Sequence, residues 1–239
     1  ANGVQNTAVG SRALQDMTTG DDNVAVGFHA LHTNTTASDN TAVGSHALYL
    51  NTTGFNHTAV GYEALKTGTT FQKNTAVGYN AGLSITTGIE NTAIGHGALD
   101  ANTTGQEITA IGVDAAGALN ITNSGSPEIC VVGFEAGKSI TDGGALTLIG
   151  HKAGKSLTGA VGVTIVGSGS GPDLTGSDCT FVGTQAGFEA TTGNDNTFIG
   201  HDAGRGQNGA SGNTIIGSHA GENVQAASNL TLIGKQAGD

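Results

Sequence analysis

A glycine recurring every seventeen residues constrains this chain more than any other feature. Gly10, Gly27, Gly44, Gly61, Gly78, Gly95 and Gly112 follow one another at that interval without a break. The series continues at Gly133, Gly150, Gly167, Gly183, Gly200, Gly217 and Gly234, with two irregular steps of 21 and 16 residues, Gly112 to Gly133 and Gly167 to Gly183. Those two steps contain the only prolines, Pro127 and Pro172. Proline has no N–H to give to a strand ladder, so it belongs where regular pairing is interrupted. A unit of this length cannot enclose a core alone, and its repetition implies stacking on its own copies.

Within a unit the pattern is N-T-A-V-G-x-x-A, then Leu or Gly, then polar residues that often include T-T-G. A short β-branched run between Asn and Gly reads as a strand entering a turn. Helix is disfavoured, because Gly, Thr, Asn and Val dominate and no 3.6-residue apolar stripe runs through a unit. The expected fold is all-β: a parallel β-solenoid, β-roll or β-helix, of about 14 coils with a 17-residue repeat. It forms one repeat domain over 1–239, with "AL" repeats over 1–117, an irregular loop over 118–129 and "AG" repeats over 130–239. Equivalent residues would stack about 4.8 Å apart, giving a rod on the order of 65 Å long.

Stacking turns the repeat into columns. A Thr column runs from Thr7 to Thr231, and two residues on lies an aliphatic column from Val9 to Ile233. An Asn column, including Asn6, Asn23, Asn40, Asn74 and Asn91, begins the strand and can form an amide ladder. Side chains alternate along a strand, so Thr and Val/Ile share one face and the middle column points the other way. That middle column is Ala from Ala8 to Ala110 and then Val131, Leu148, Ile165, Phe181, Phe198, Ile215 and Leu232. Six residues after it the size changes in the opposite sense: Leu14, Leu31, Leu48, Leu65 and Leu99 accompany Ala, whereas glycines from Gly137 to Gly238 accompany the bulky residues. Close packing tolerates swaps that conserve volume, so these two columns are expected to face one shared space. Ala76 with Gly82 departs from the rule, and Leu83 is the expected filler. With one Val and one Leu per coil as apolar lining, a lone coil looks under-stabilised, and lateral packing into a closed homo-oligomer would bury the second face. Neither end carries a distinct capping sequence, which predicts end-to-end stacking or continuation into a longer fibre.

The composition excludes several functions. Forty-one glycines without a G-X-Y period exclude collagen, and a formal charge of −11 argues against nucleic acid and anionic membrane surfaces as partners. No apolar run approaches the roughly 20 residues of a membrane span. There is no G-x-S-x-G elbow, H-E-x-x-H or P-loop, so no enzyme activity and no cofactor are expected, and no catalytic, cofactor-binding or metal residue is assigned. His96, His151 and His201 share one phase but are three coils apart, too far to share a metal. Phe28, Tyr62, Tyr79 and Phe134 occupy that same phase and are expected to pack between coils, or to form a sticky ridge. Asp22, Asp39, Glu90, Glu107, Glu128, Asp178 and Asp195 precede the strands and read as a solvated edge that deters sideways pairing, rather than as calcium ligands. Cys130 and Cys179 are too far apart for an intrachain disulfide, which leaves pairing between chain copies open. Sequons occur at Asn34, Asn51, Asn56, Asn102, Asn120 and Asn229 and carry little weight in a chain so rich in Asn and Thr.

The units NTAVGSRAL, NTAVGSHAL, HTAVGYEAL, NTAVGYNAG and NTAIGHGAL resemble the head repeats of trimeric autotransporter adhesins, and are similar to repeats of phage tail fibres and large bacterial surface proteins. The resemblance spans virtually the whole chain. It implies a left-handed parallel β-roll, three chains about one axis, and binding to a host-cell or surface receptor or a glycan. The expected function is a non-enzymatic extracellular structural fibre or self-assembling filament, acting as spacer and adhesive surface, on a cell surface, in a secreted filament or on a virion. The alternative is the shaft or receptor-binding segment of a phage tail fibre, with specificity in the loop from Asn120 to Ile129. A minor alternative is an ice-binding solenoid, suggested by the Thr column.

Overall fold

The computed structural model describes residues 3–121, 127–225 and 227–238. They group into two compact units, Ala1–Pro127 and Glu128–Asp239, divided within the 118–129 segment expected to be irregular. The first unit holds β1 (Thr7–Val9), β2 (Val24–Val26), β3 (Thr41–Val43), β4 (Thr58–Val60), β5 (Thr75–Val77), β6 (Thr92–Ile94) and β7 (Thr109–Ile111). The second holds β8 (Ile129–Val132), β9 (Gly144–Ile149), β10 (Val161–Val166), β11 (Thr180–Val182), β12 (Thr197–Ile199), β13 (Thr214–Ile216) and β14 (Thr231–Ile233). In each unit consecutive strands pair parallel in unslipped register, Thr41 against Thr58 and Ala42 against Ala59 in one, Phe181 against Phe198 in the other. Each unit is therefore a parallel β-solenoid with one short strand per coil, and no helix occurs among the described residues.

Coil stacking explains why the strand residue closing each N-T-A-V-G is glycine. These glycines have φ between +124° and +144°, which L side chains rarely adopt. A Cβ on Gly10 would stand 2.7 Å from the carbonyl oxygen of Gly27 in the next coil. Any side chain there would strain its own backbone and push two coils apart.

The middle column faces inward and is buried in both units, from Ala25 to Ala110 and from Val131 to Ile215. The shared space inferred from size compensation exists. In the second unit a Cβ on Gly204 would meet the Phe198 ring at 2.7 Å, and one on Gly154 would meet Leu148 at 3.1 Å. In the first unit the same place is filled by Leu31, Leu48, Leu65 and Leu99, all fully buried. These leucines sit in the left-handed region at φ of 48–52°, a strained conformation for a side-chain-bearing residue that the glycines of the second unit adopt freely. Two expectations need correction. Leu83 is only half-buried; the space beside Gly82 is taken by the buried Ile85, whose Cδ1 lies 3.0 Å from where a Cβ would stand. The Val/Ile column does not line the coil either: it points outward with Thr. The lining comes instead from the middle column, a second alanine column (Ala30, Ala47, Ala64), the Leu/Gly column, and buried residues such as Asn34, Ile85 and Leu119.

Polar groups of the Asn ladder inside the coil are matched, as burial demands. The Asn23 N–H donates to Asn6 Oδ1 at 2.9 Å and the Asn40 N–H to Asn23 Oδ1 at 3.2 Å, while each amide nitrogen reaches a carbonyl across the coil, Asn40 Nδ2 to Gly54 O at 2.9 Å. His57 replaces Asn in this ladder and reproduces both contacts. Its Nδ1 accepts the Asn74 N–H at 3.2 Å, and its Nε2–H donates to the Phe71 carbonyl at 3.2 Å. That pair of bonds requires a neutral imidazole protonated at Nε2. Burial pulls the His57 pKa down to about 4, against the opposing pull of the Phe71 carbonyl.

Candidate functional site

Most strands present Thr and Val or Ile outward, with Val24 in β2 and Cys130 in β8 taking the Thr position, and in β2 to β13 these residues are half-buried or exposed while the residue between them is buried. Ile149 and Ile199, inside the second unit, are 39% and 37% exposed. Register makes each column continuous within its unit: Thr41, Thr58, Thr75, Thr92 and Thr109 stand in line, with Val43, Val60, Val77, Ile94 and Ile111 beside them. The result in each unit is a repeating strip of methyl groups and hydroxyls without charge. Cys130 lies in the Thr column, at a half-buried outward position, whereas Cys179 is buried in the Asn ladder with its thiol 3.4 Å from the Gly193 carbonyl; neither is in a disulfide. Burial raises the Cys179 pKa, which keeps it protonated and unreactive.

A second feature follows the strand glycine. Tyr62, Tyr79 and His96 stack at centroid distances of 5.1 Å with near-parallel rings, and Phe134 stacks on His151 at 5.5 Å. Phe28 stacks on His29, which contacts His46 one coil on. The packing and ridge readings coexist: rings pack coil on coil, and Tyr79 is still 49% exposed. His29 is held below its ordinary pKa by burial and by the neighbouring His32, His46 and Arg12.

The acidic column is exposed as expected, and its members Asp22, Asp39, Glu90, Glu107, Glu128, Asp178 and Asp195 have φ of 52–60°, marking a left-handed turn before each strand. The sequon residues divide: Asn34, Asn51 and Asn102 are wholly buried, with amides bonded to Ala37, Gly54 and Gly105 carbonyls, and are closed to glycan attachment in the folded coil. Asn56 and Asn229 are exposed and Asn120 is half-buried. Of the loop proposed for specificity, Asn120 to Ile129, residues 122–126 lie outside the described residues.

His96, His151 and His201 do not meet one another. The second unit instead brings His201 together with Asp202 and His219 of the next coil, the only such grouping of His, Cys, Asp or Glu among the described residues. Sequence reading missed it because His219 follows its strand glycine by two residues and His201 by one. Scanning for separations of one period plus or minus one residue would have found the pair.

Among the described residues no helix is long and apolar enough to cross a membrane. No protein-family model matches this chain, and no curated protein matches it.

Proposed function

We propose that the chain is a non-enzymatic structural segment of an extracellular fibre, a spacer and adhesive surface, in which copies pack laterally through the Thr and Val/Ile face as a left-handed homotrimer. One observation carries this reading. The coil interior is complete within one chain, yet a second apolar strand face stays uncharged, regular and half-exposed along every coil. A strand apolar on both faces is normally covered on both, and a strip of this kind suits a symmetric copy of itself. The exposed ring stack of Tyr62, Tyr79 and His96 is the adhesive candidate, since aromatic ridges suit glycans and protein surfaces alike.

The test is the mass of the protein by light scattering at micromolar concentration, for wild type and for Val43→Lys/Val60→Lys. These valines are neighbours in register and point outward, so the lysines should leave β circular dichroism intact. A trimer that falls to monomer in the variant is the expected result. A wild-type monomer, or a variant of unchanged mass, refutes lateral association through this face.

A second reading rests on the same strip. In-register, half-exposed threonines offer hydroxyls at a repeat that suits ordered water, as in an ice-binding solenoid. Thermal hysteresis of the monomeric variant against wild type separates the two readings.

A further inference from the structure

Asp202 is the only carboxylate residue buried among the described residues, with its side chain 5% exposed. Its position explains the burial mechanically. It follows its strand glycine by two residues, where its backbone N–H is tied to the Thr184 carbonyl at 3.0 Å, and His219 occupies the same position one coil later. The His219 N–H donates in turn to the His201 carbonyl at 2.8 Å, so ladder bonds fix all three residues. Two imidazoles converge on one carboxylate oxygen: Asp202 Oδ2 lies 3.0 Å from His201 Nδ1 and 3.8 Å from His219 Nδ1. The His rings are 5.0 Å apart, edge to face. Glu222 sets a second carboxylate against His219, with Oε2 2.7 Å from Nδ1.

This set is poorly satisfied by its own hydrogens. Asp202 Oδ1 has no hydrogen-bond partner, and the nearest cation, the Arg205 guanidinium, is 3.6 Å away, beyond hydrogen-bond range. A neutral His219 carries at most one proton on Nδ1, which cannot serve both Asp202 and Glu222. Burying a carboxylate on such terms is costly, and a cation shared with the imidazoles removes the cost. We propose that His201 Nδ1, Asp202 Oδ2 and His219 Nδ1 form a three-ligand binding site for a divalent transition metal of the zinc class, its fourth position taken by water.

The donor chemistry selects that class. Two imidazole nitrogens with carboxylate oxygen suit zinc and its first-row neighbours, whereas calcium and magnesium take oxygen sets. Ligand bonds of about 2.0–2.2 Å place tetrahedral donors somewhat over 3 Å apart, and the observed 3.0 and 3.8 Å need only side-chain adjustment. Arg205, on Oδ1, would orient Asp202 from behind, the usual task of a second sphere. The His201 and His219 side chains are 51% and 35% exposed, which leaves the site open to ions from solvent. Because the ligands come from two successive coils, the metal would staple them together.

The experiment is titration of Zn2+ into the untagged full chain by calorimetry, with Co2+ absorption as the spectroscopic readout. One saturable site per chain is expected, with tetrahedral cobalt bands. His201→Gln should weaken zinc at least about tenfold; His201 is half-exposed, so its loss cannot be mistaken for unfolding. Asp202→Asn should do the same, with its fold checked by circular dichroism. His96→Gln, altering the His96–Asp114 pair, which belongs to no such grouping among the described residues, should change nothing. Absence of a saturable site, or a site that survives both His201→Gln and Asp202→Asn, overturns the proposal. So does a site abolished by His96→Gln.

Discussion

Replacing His57 by Asn restores the ladder residue of the neighbouring coils and should remove a pH sensitivity built into the first unit. In the fold His57 is neutral by necessity, since its Nδ1 holds the Asn74 N–H. Its pKa falls from 6.5 to about 4 on folding. The unfolded chain therefore binds a proton below pH 6.5 that the folded chain refuses, so stability declines as pH falls through that window and the loss is complete below about pH 4. A difference of two and a half pKa units corresponds to about 3 kcal/mol. Repeat arrays open locally, so one global midpoint is a poor readout. Exchange protection of the Asn74 amide, corrected for intrinsic rates, reports the opening of this coil directly. Wild type should lose protection by about two orders of magnitude between pH 6.5 and 4 relative to His57→Asn. The variant will carry a constant offset, because Asn fills less space against Phe71, whose ring lies 4.0 Å from that of His57. Parallel pH profiles for the two proteins would refute the argument.

Exchanging the interior solution of the second unit for that of the first, with Phe198→Ala and Gly204→Leu, should be strongly coupled. Phe198→Ala alone is expected to cost roughly 3–5 kcal/mol, Gly204→Leu alone should clash with the ring, and the double variant should recover at least about 1 kcal/mol of the summed losses in chemical denaturation; additive losses would show that the two columns do not share a space. Gly44→Ala should destabilise the first unit by at least about 2 kcal/mol, because φ of +141° and the Gly61 carbonyl both oppose a Cβ, and a thermal melt unchanged from wild type would contradict the stacking geometry.

The period made the fold legible, because a 17-residue recurrence of one glycine leaves few alternatives to stacking. Which face of the strand is inside was harder to read. Thr-Ala-Val is flanked by apolar candidates on both sides, and counting hydrophobicity favours Val, yet Ala42 is buried and Val43 is not. The decisive signal lay in size compensation between Ala42 and Leu48 and between Phe198 and Gly204, since only an enclosed space forces volumes to trade. Other features depended on geometry that a column diagram hides. His57 looks like a lapse in the Asn column until its two ring nitrogens are seen standing in for amide oxygen and nitrogen. His201 and His219 fall in different columns, and meet only because adjacent columns of adjacent coils are in contact.

The two units bear on function through what differs between them and what does not. Their interiors are built on different plans: the first packs leucines at left-handed φ against alanine, the second packs Phe, Ile or Leu against glycine. Either plan satisfies the coil, so the interior tolerates redesign provided its volume is kept. The outward face does not change with it. Thr and Val or Ile recur there in β3 to β7 and again in β9 to β14, uncharged throughout, although an outward position facing only water would accept Lys, Glu or Ser at no cost to the coil. A face that stays the same while the core behind it is rebuilt supports the lateral packing proposed above, in which the strip of each coil meets another strip with the same repeat.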